Sequence, residues 1–257
     1  MNKLIKLELN VIRALFYREI QTRFYSKKLG FFWTLFDIII LILVFSLLRS
    51  LMGGNQFSNL DYTVFLTIGL LSFFLWRNIV KKSMEAFDSN KALFVYNRVR
   101  PYHTVISRTF IEVIIFFSVF ALLFFVGFLF DKEIIPDSWF NVILSFFWLI
   151  IFGLSIGFIS AIFSDMFSIY KHIFNALLIP LIFISAIMYT VDSLPIDLRE
   201  IILLNPLTHF MELIHASYFK SLNTSYVNYN YMFLWTFIPF VFGLLLYRVN
   251  EERIISN

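Results

Sequence analysis

Apolar and polar residues fall along this chain in long blocks. Six apolar stretches lie near residues 31–51, 62–80, 106–130, 139–163, 173–191 and 231–247. Each approaches the roughly 20 residues a helix needs to cross bilayer hydrocarbon, so the pattern predicts an all-α membrane protein with six transmembrane helices. The residues before the first block follow a shorter period. Ile5, Leu9, Ile12, Phe16 and Ile20 recur every three or four positions, with Lys6, Arg13 and Arg18 at the flank or back. That period predicts an amphipathic helix within 1–28, basic enough to lie in the membrane surface; its stripe deteriorates at Arg23.

Three connections have a character of their own. Internal connection 81–104 mixes Glu85, Asp88 and Asn90 with Leu93 and Phe94, and connection 164–172 mixes Asp165 with Met166, Phe167 and Tyr170. Two such elements suggest docking surfaces for a soluble partner, because as plain solvated loops they would expose those apolar side chains without reason. Region 192–230 holds two apolar pieces, 201–204 and 210–219, too short to span. Between them Asn205 is placed to cap a helix with Pro206 at its first position. The expectation is two short external helices dipping back into the outer leaflet, where irregular backbone survives only against protein or a water-filled cavity. Asn205 and His209 are therefore candidate pathway residues.

Charge adds orientation. Of 21 Lys and Arg residues, 17 precede the first stretch, surround the second connection, sit in the fourth or follow the last. The other side keeps 4: Arg49, Lys132, Arg199 and Lys220. The positive-inside rule then puts both termini in the cytoplasm of a multi-pass inner-membrane protein. The net charge of +4 follows this sidedness and calls for no nucleic acid. With 60% hydrophobic and 15% charged residues, a soluble core is excluded as the main architecture. No cysteine is present, so disulfides and thiolate metal sites are excluded. The segment to Lys28 is too charged for a cleavable signal peptide. Six spans leave these residues no room for a soluble catalytic domain.

Catalytic signatures are missing. No nucleotide-cradling Gly-x-x-x-x-Gly-Lys-Ser/Thr loop occurs, and no His-Glu-x-x-His. His209, Glu212 and His215 are spaced three and six, which puts the two histidines off a common helix face and favours ordinary helix surface or interface over a metal site. Asp37 in the first span and Glu112 in the third lie about two turns from the cytoplasmic rim. Ion pairing there with Arg23, Arg77 or Arg108 is the favoured reading, and a pathway or gating role the alternative. Arg49 near the outer end of the first span can snorkel outward or meet an anionic substrate leaving a pore. Aromatic content of 20% permits stacking on sugar rings, but packing and interfacial belts use aromatics equally well.

Arg18-Glu19-Ile20-x-Thr22-Arg23-Phe24 with Leu29-Gly30-x-x-Trp33 resembles the signature before the first span of type 2 ABC exporter permeases. Matches continue with Asn90-x-x-Leu93-Phe94, Val99-x-Pro101, Phe183-Ile184-Ser185-x-Ile187-Met188, Ser193-x-Pro195, Asn205-Pro206-Leu207-x-His209 with Glu212-Leu213, and Leu246-Tyr247-Arg248. Together they resemble the permease subunits of capsular polysaccharide exporters (the KpsM type) more than those for O-antigen or teichoic acid. The resemblance implies a homodimer with two copies of a separate cytoplasmic ATPase, which carries the ATP and Mg, so that this chain is not catalytic and holds no cofactor. Its implied cargo is a lipid-linked, acidic capsular polysaccharide, handed on to a periplasmic adaptor and an outer-membrane export protein. By the same resemblance 81–100 and 164–171 are ATPase-coupling elements, and 192–228 is the external re-entrant region. The N-terminal helix, with Arg18, Arg23, Gly30 and Trp33, is then the gate that admits substrate to a canal lined by the first, second and fifth spans. Relatives often carry a proline after the acid of the first span. Here Ile38 follows Asp37, so a kink there does not carry over. Two rivals from other classes are a membrane-embedded transferase acting on a lipid-linked sugar and a proton-driven transporter using Asp37 and Glu112.

Overall fold

A computed structural model describes residues 2–26, 30–51, 61–96, 98–130, 132 and 134–256. Among them the ordered structure is helical: α1 (Asn2–Ser26), α2 (Gly30–Leu51), α3 (Tyr62–Met84), α4 (Pro101–Leu129), α5 (Trp139–Met166), α6 (Tyr170–Ile184), α7 (Ile196–Leu203), α8 (Pro206–Tyr218) and α9 (Tyr229–Ser256). A short 3-10 helix, Asp88–Leu93, lies between α3 and α4. Among the described residues four helices, α3, α4, α5 and α9, are long and apolar enough to cross a membrane. α2 runs unbroken through position 37, in keeping with the missing proline.

α3 is the hub. It is uncharged from Tyr62 to Trp76 and buries Phe65, Leu66, Leu70, Phe73 and Ile79 completely, as a helix surrounded by other helices must. Asp61 caps its N-terminus by accepting from the Thr63 and Val64 N–H groups, and pairs with Lys132 at 2.7 Å. Burial lifts the Asp61 carboxyl, but Lys132 and the two amides outweigh it and hold it below the usual carboxylate range. Gly153 and Gly157 bring α5 against α3: a Cβ at Gly157 would stand 2.6 Å from Ser83 Oγ, and one at Gly153 3.3 Å from Ile79. Small residues four apart are the usual device for close helix packing in membranes. The outer faces of α4 and α9 leave Phe110, Phe117, Phe125, Phe233 and Phe237 exposed, a surface suited to lipid. Phenylalanine thus serves both the core and that outer surface.

The fifth apolar stretch departs from expectation. A helix over 173–191 is anticipated, yet α6 stops at Ile184 after 15 residues, about 22 Å of helix. Ala186 then adopts φ 54°, the left-handed conformation that ends helices. The run stays apolar beyond the break because Ala186 and Ile187 are buried as irregular backbone inside the protein, and Val191 is buried at the start of a single 3-10 turn, Val191–Ser193. Gly69 makes room for it, since a Cβ there would lie 2.6 Å from the Ile187 carbonyl oxygen. α8 begins as the Asn-Pro pair predicts, with Asn205 accepting from the Leu207 N–H and Pro206 in the first turn.

Candidate functional site

One end of the bundle gathers α1, the 3-10 helix, the α5–α6 turn and the last turns of α9; α7 and α8 lie at the other. At the first end α1 presents Glu8, Leu15 and Glu19 to α4. Residues 8, 12, 15 and 19 share one helical face. His103 of α4 hydrogen-bonds Glu8, and the Tyr102 hydroxyl donates to the same carboxylate at 2.8 Å. His103 Nδ1 already accepts from the Arg100 N–H, so its proton sits on Nε2, facing Glu8. The His103 and Tyr102 hydrogen bonds, in that order, hold the Glu8 carboxyl below its usual range. One turn on, the Ser107 hydroxyl donates to the Ile12 carbonyl. The next residue, Arg108, reaches Glu19 at 3.1 Å, with 6% and 14% of the two side chains exposed.

Arg108 also joins elements. It donates to the Lys82 carbonyl at 3.0 Å, where a cation suits the C-terminal dipole of α3, and stands 3.9 Å from Glu85. From α1, Arg18 donates to Asn90 Oδ1 at 2.7 Å, while the Asn90 amide donates to the Ala86 carbonyl. A residue expected at the gate and a residue expected in a coupling element therefore touch. Asp88 joins the two coupling segments through Lys171 at 2.6 Å. Burial raises the Asp88 carboxyl, and Lys171 and then Lys91 more than offset it, leaving it below the usual value.

The remaining expected coupling residues divide by exposure. Phe94, expected on a docking surface, is instead 4% exposed among Phe87, Val105, Phe158 and Ile162. The tight 3-10 helix folds the chain back onto the bundle, so exposure passes to Val95 and Tyr96. Leu93 and Met166 are half-buried, and Tyr170 is too, its hydroxyl on Ser160 and its ring on Phe163. Phe167 and Ile169 are exposed. Asp165 Oδ2 is shielded from solvent and has no hydrogen-bond partner among the described residues. Gly30, Trp33, Asp37 and Arg49 lie along α2, and Arg23 in the last turn of α1; their side chains fall outside the described residues, as do residues 27–29 entirely. Glu112 is buried in α4, one turn beyond Arg108.

At the other end, the candidate pathway residues hold backbone. Asn205 donates to the Ile184 carbonyl and to Ser185 Oγ, and the Thr208 hydroxyl lies 3.0 and 3.1 Å from the Ile184 and Ile202 carbonyls. His209 Nε2 meets the Leu203 carbonyl at 2.9 Å, and its Nδ1 lies 3.1 Å from the Tyr226 carbonyl and 3.2 Å from the Asn228 N–H. Glu212 accepts from the Val191 N–H. The carbonyls freed where α6 and α7 end thus find donors on α8. Among the described residues no group of three or more His, Asp or Glu is placed to hold a metal.

The Glu8 and Glu19 contacts escape sequence reasoning because they join residues some 90 positions apart. The signal that could have found them is a spacing match, acids at 8 and 19 on one face of α1 against Tyr102, His103 and Arg108 on one side of α4.

Comparison with known proteins places these elements. The ABC-2 type transporter family matches residues 10–219, from α1 through α8. The polysialic acid transport protein KpsM of Escherichia coli is 30% identical over 246 residues, 96% of this chain and 95% of that protein. The capsule polysaccharide export inner-membrane protein CtrC of Neisseria meningitidis serogroup B is 25% identical over 94% of this chain and 91% of its own. BexB of Haemophilus influenzae, with the same description, is 23% identical over 93% and 90%. A helical bundle with apolar outer faces, a polar junction at its basic end and this match over most of its length belongs to the ABC-2 type transporter family.

Proposed function

We propose that this chain is the membrane half of an ATP-driven exporter that moves a lipid-linked, acidic capsular polysaccharide across the inner membrane. It acts as a homodimer above two copies of a separate cytoplasmic ATPase, which binds ATP and Mg. The cargo is supported by likeness over nine-tenths of the chain to transporters of polysialic acid and capsule polysaccharide. In this reading α2 and α6 complete six spans, α6 with help from the buried segment after Ile184, and α7–α8 form the external re-entrant pair. Both termini are cytoplasmic, a reading that the 17-to-4 distribution of basic residues supports.

The coupling mechanism rests on one observation, the Arg18–Asn90 hydrogen bond between α1 and the 3-10 helix. The ATPases dock on the exposed residues of the two cytoplasmic segments, Val95, Tyr96, Phe167 and Ile169. Closure of the ATPases on nucleotide shifts the 3-10 helix; Asn90 and Arg108 pass that shift to α1, and α1 admits the lipid-linked end to the canal. ATP can bias this two-state element only by favouring one arrangement of these contacts.

The test is complementation. Cells deleted for this chain should lose surface polysaccharide and regain it when the chain returns with an active ATPase, but not with one disabled in its phosphate-binding lysine. Surface polysaccharide that persists without the chain, or with the disabled ATPase, contradicts the proposal.

A further inference from the structure

The end opposite α1 carries a cleft whose chemistry differs from the rest of the surface. Segment 222–231 reads Leu-Asn-Thr-Ser-Tyr-Val-Asn-Tyr-Asn-Tyr, without a charge. It is held firmly: Val227 N–H donates to the Thr224 carbonyl, Ser225 N–H to Asn223 Oδ1, and His209 grips the backbone at Tyr226 and Asn228. The Tyr226 hydroxyl receives Arg199 at 2.6 Å and donates to Asp192, and the Tyr231 hydroxyl donates to the Leu204 carbonyl. Against this frame lies an open cavity of about 700 Å³ that includes Ser225, Asn228, Tyr229 and Asn230. A second, of about 300 Å³, shares Tyr229 and adds Asn141, Trp148 and Thr224. Both volumes lie in the range of small-ligand sites.

The lining selects a ligand class. No Lys, Arg, Asp or Glu lines either cavity, so neither phosphate nor carboxylate finds a counter-charge. The side-chain polar groups of Asn141, Thr224, Ser225, Tyr229 and Asn230 hydrogen-bond nothing among the described residues and remain available. Amides and hydroxyls both donate and accept, as sugar hydroxyls do. The Tyr229 ring stacks on Trp148 at 6.3 Å between centroids, giving a fixed aromatic surface for the C–H face of a ring. Tyr, Ser and Asn on a fixed frame are also what binding loops use for polar recognition at low entropic cost.

We propose that this cleft is a saccharide subsite at the exit side, binding pyranose rings through their hydroxyls and faces while any carboxylates stay in water. It rests on the export function proposed above. The test places a photoreactive benzophenone side chain at Tyr229, at Asn230 and, as a lipid-facing control, at Phe237, in cells making their polysaccharide with the ATPase present. After irradiation, the chain is purified under denaturing conditions, stripped of lipid and analysed for attached monosaccharides. Sugar should be captured at 229 and 230 several-fold above 237. Adducts at 229 and 230 with lipid or protein alone, or sugar no higher than at 237, overturn the subsite while leaving export standing if surface polysaccharide still depends on the chain and its ATPase. Loss of that dependence overturns both.

Discussion

The two ends of this bundle are held together in different ways. At the α8 end, Asn205, Thr208, His209 and Glu212 each bind main chain of a neighbouring element, and all sit in or at the start of a largely buried helix. A backbone group that loses its partner in such a place has no water to replace it. At the α1 end, most of the bonds between elements join side chains, and some have alternatives nearby: Arg108 reaches Glu19, the Lys82 carbonyl and the edge of Glu85. The first arrangement makes a frame, and the second rests mainly on side-chain pairs that can exchange partners. In the proposed exporter the first serves as a fixed scaffold and the second as a movable latch.

The sharpest way to break that contrast is Arg108→Met. It removes the shielded Arg108–Glu19 ion pair together with the bond to the Lys82 carbonyl, and should cost about 3 kcal/mol. Hydrogen exchange should speed up along α1 while α8 stays protected. Exchange rising equally at both ends would erase the distinction between latch and frame. His209→Phe comes next, keeping the ring volume but stranding the Leu203 carbonyl, at about 2 kcal/mol. Here protection should fall together over 184–191 and 203–228, and the melting temperature in detergent should drop. A purely local change at 209 would mean that α8 is no clamp. The smallest effect is that of pH. Glu8 and Asp88 both sit below their ordinary values, so their stabilisation is present at neutral pH and lost only as pH falls below the ordinary carboxylate range and through those depressed values. Both are exposed enough that each is worth less than about 1 kcal/mol. Spin-label distances between α1 and α4 should therefore hold from pH 8 to 5 and lengthen only in stronger acid.

Block hydropathy makes the long helices legible, because lipid demands an unbroken apolar run and the chain supplies it. The Asn205-Pro206 start of α8 is legible for a local reason, since cap and fixed φ act within one turn. The end of α6 is not. An apolar run reads the same whether it continues as helix or folds as buried irregular chain, and only Gly69 and the donors on α8, distant in sequence, decide which. Phe94 fails similarly, because an apolar residue in a polar connection suggests a partner surface until the 3-10 helix turns it inward. On α1 the apolar stripe is visible, and Ile5 and Leu9 do stay exposed, yet the polar face on α4 carries the specific contacts.

The claim that the inner end works as one coupled unit is tested most directly at Arg18 and Asn90. The complex of this chain with its ATPase, reconstituted in vesicles, allows glycan exported per ATP hydrolysed to be measured for Arg18→Ala, Asn90→Ala and the double variant. Each single change should lower that ratio, and the double variant should fall no further than the worse single, because both remove the same hydrogen bond. Additive losses, or a ratio unchanged in all three, would contradict a link from the docking segment to α1 through this pair.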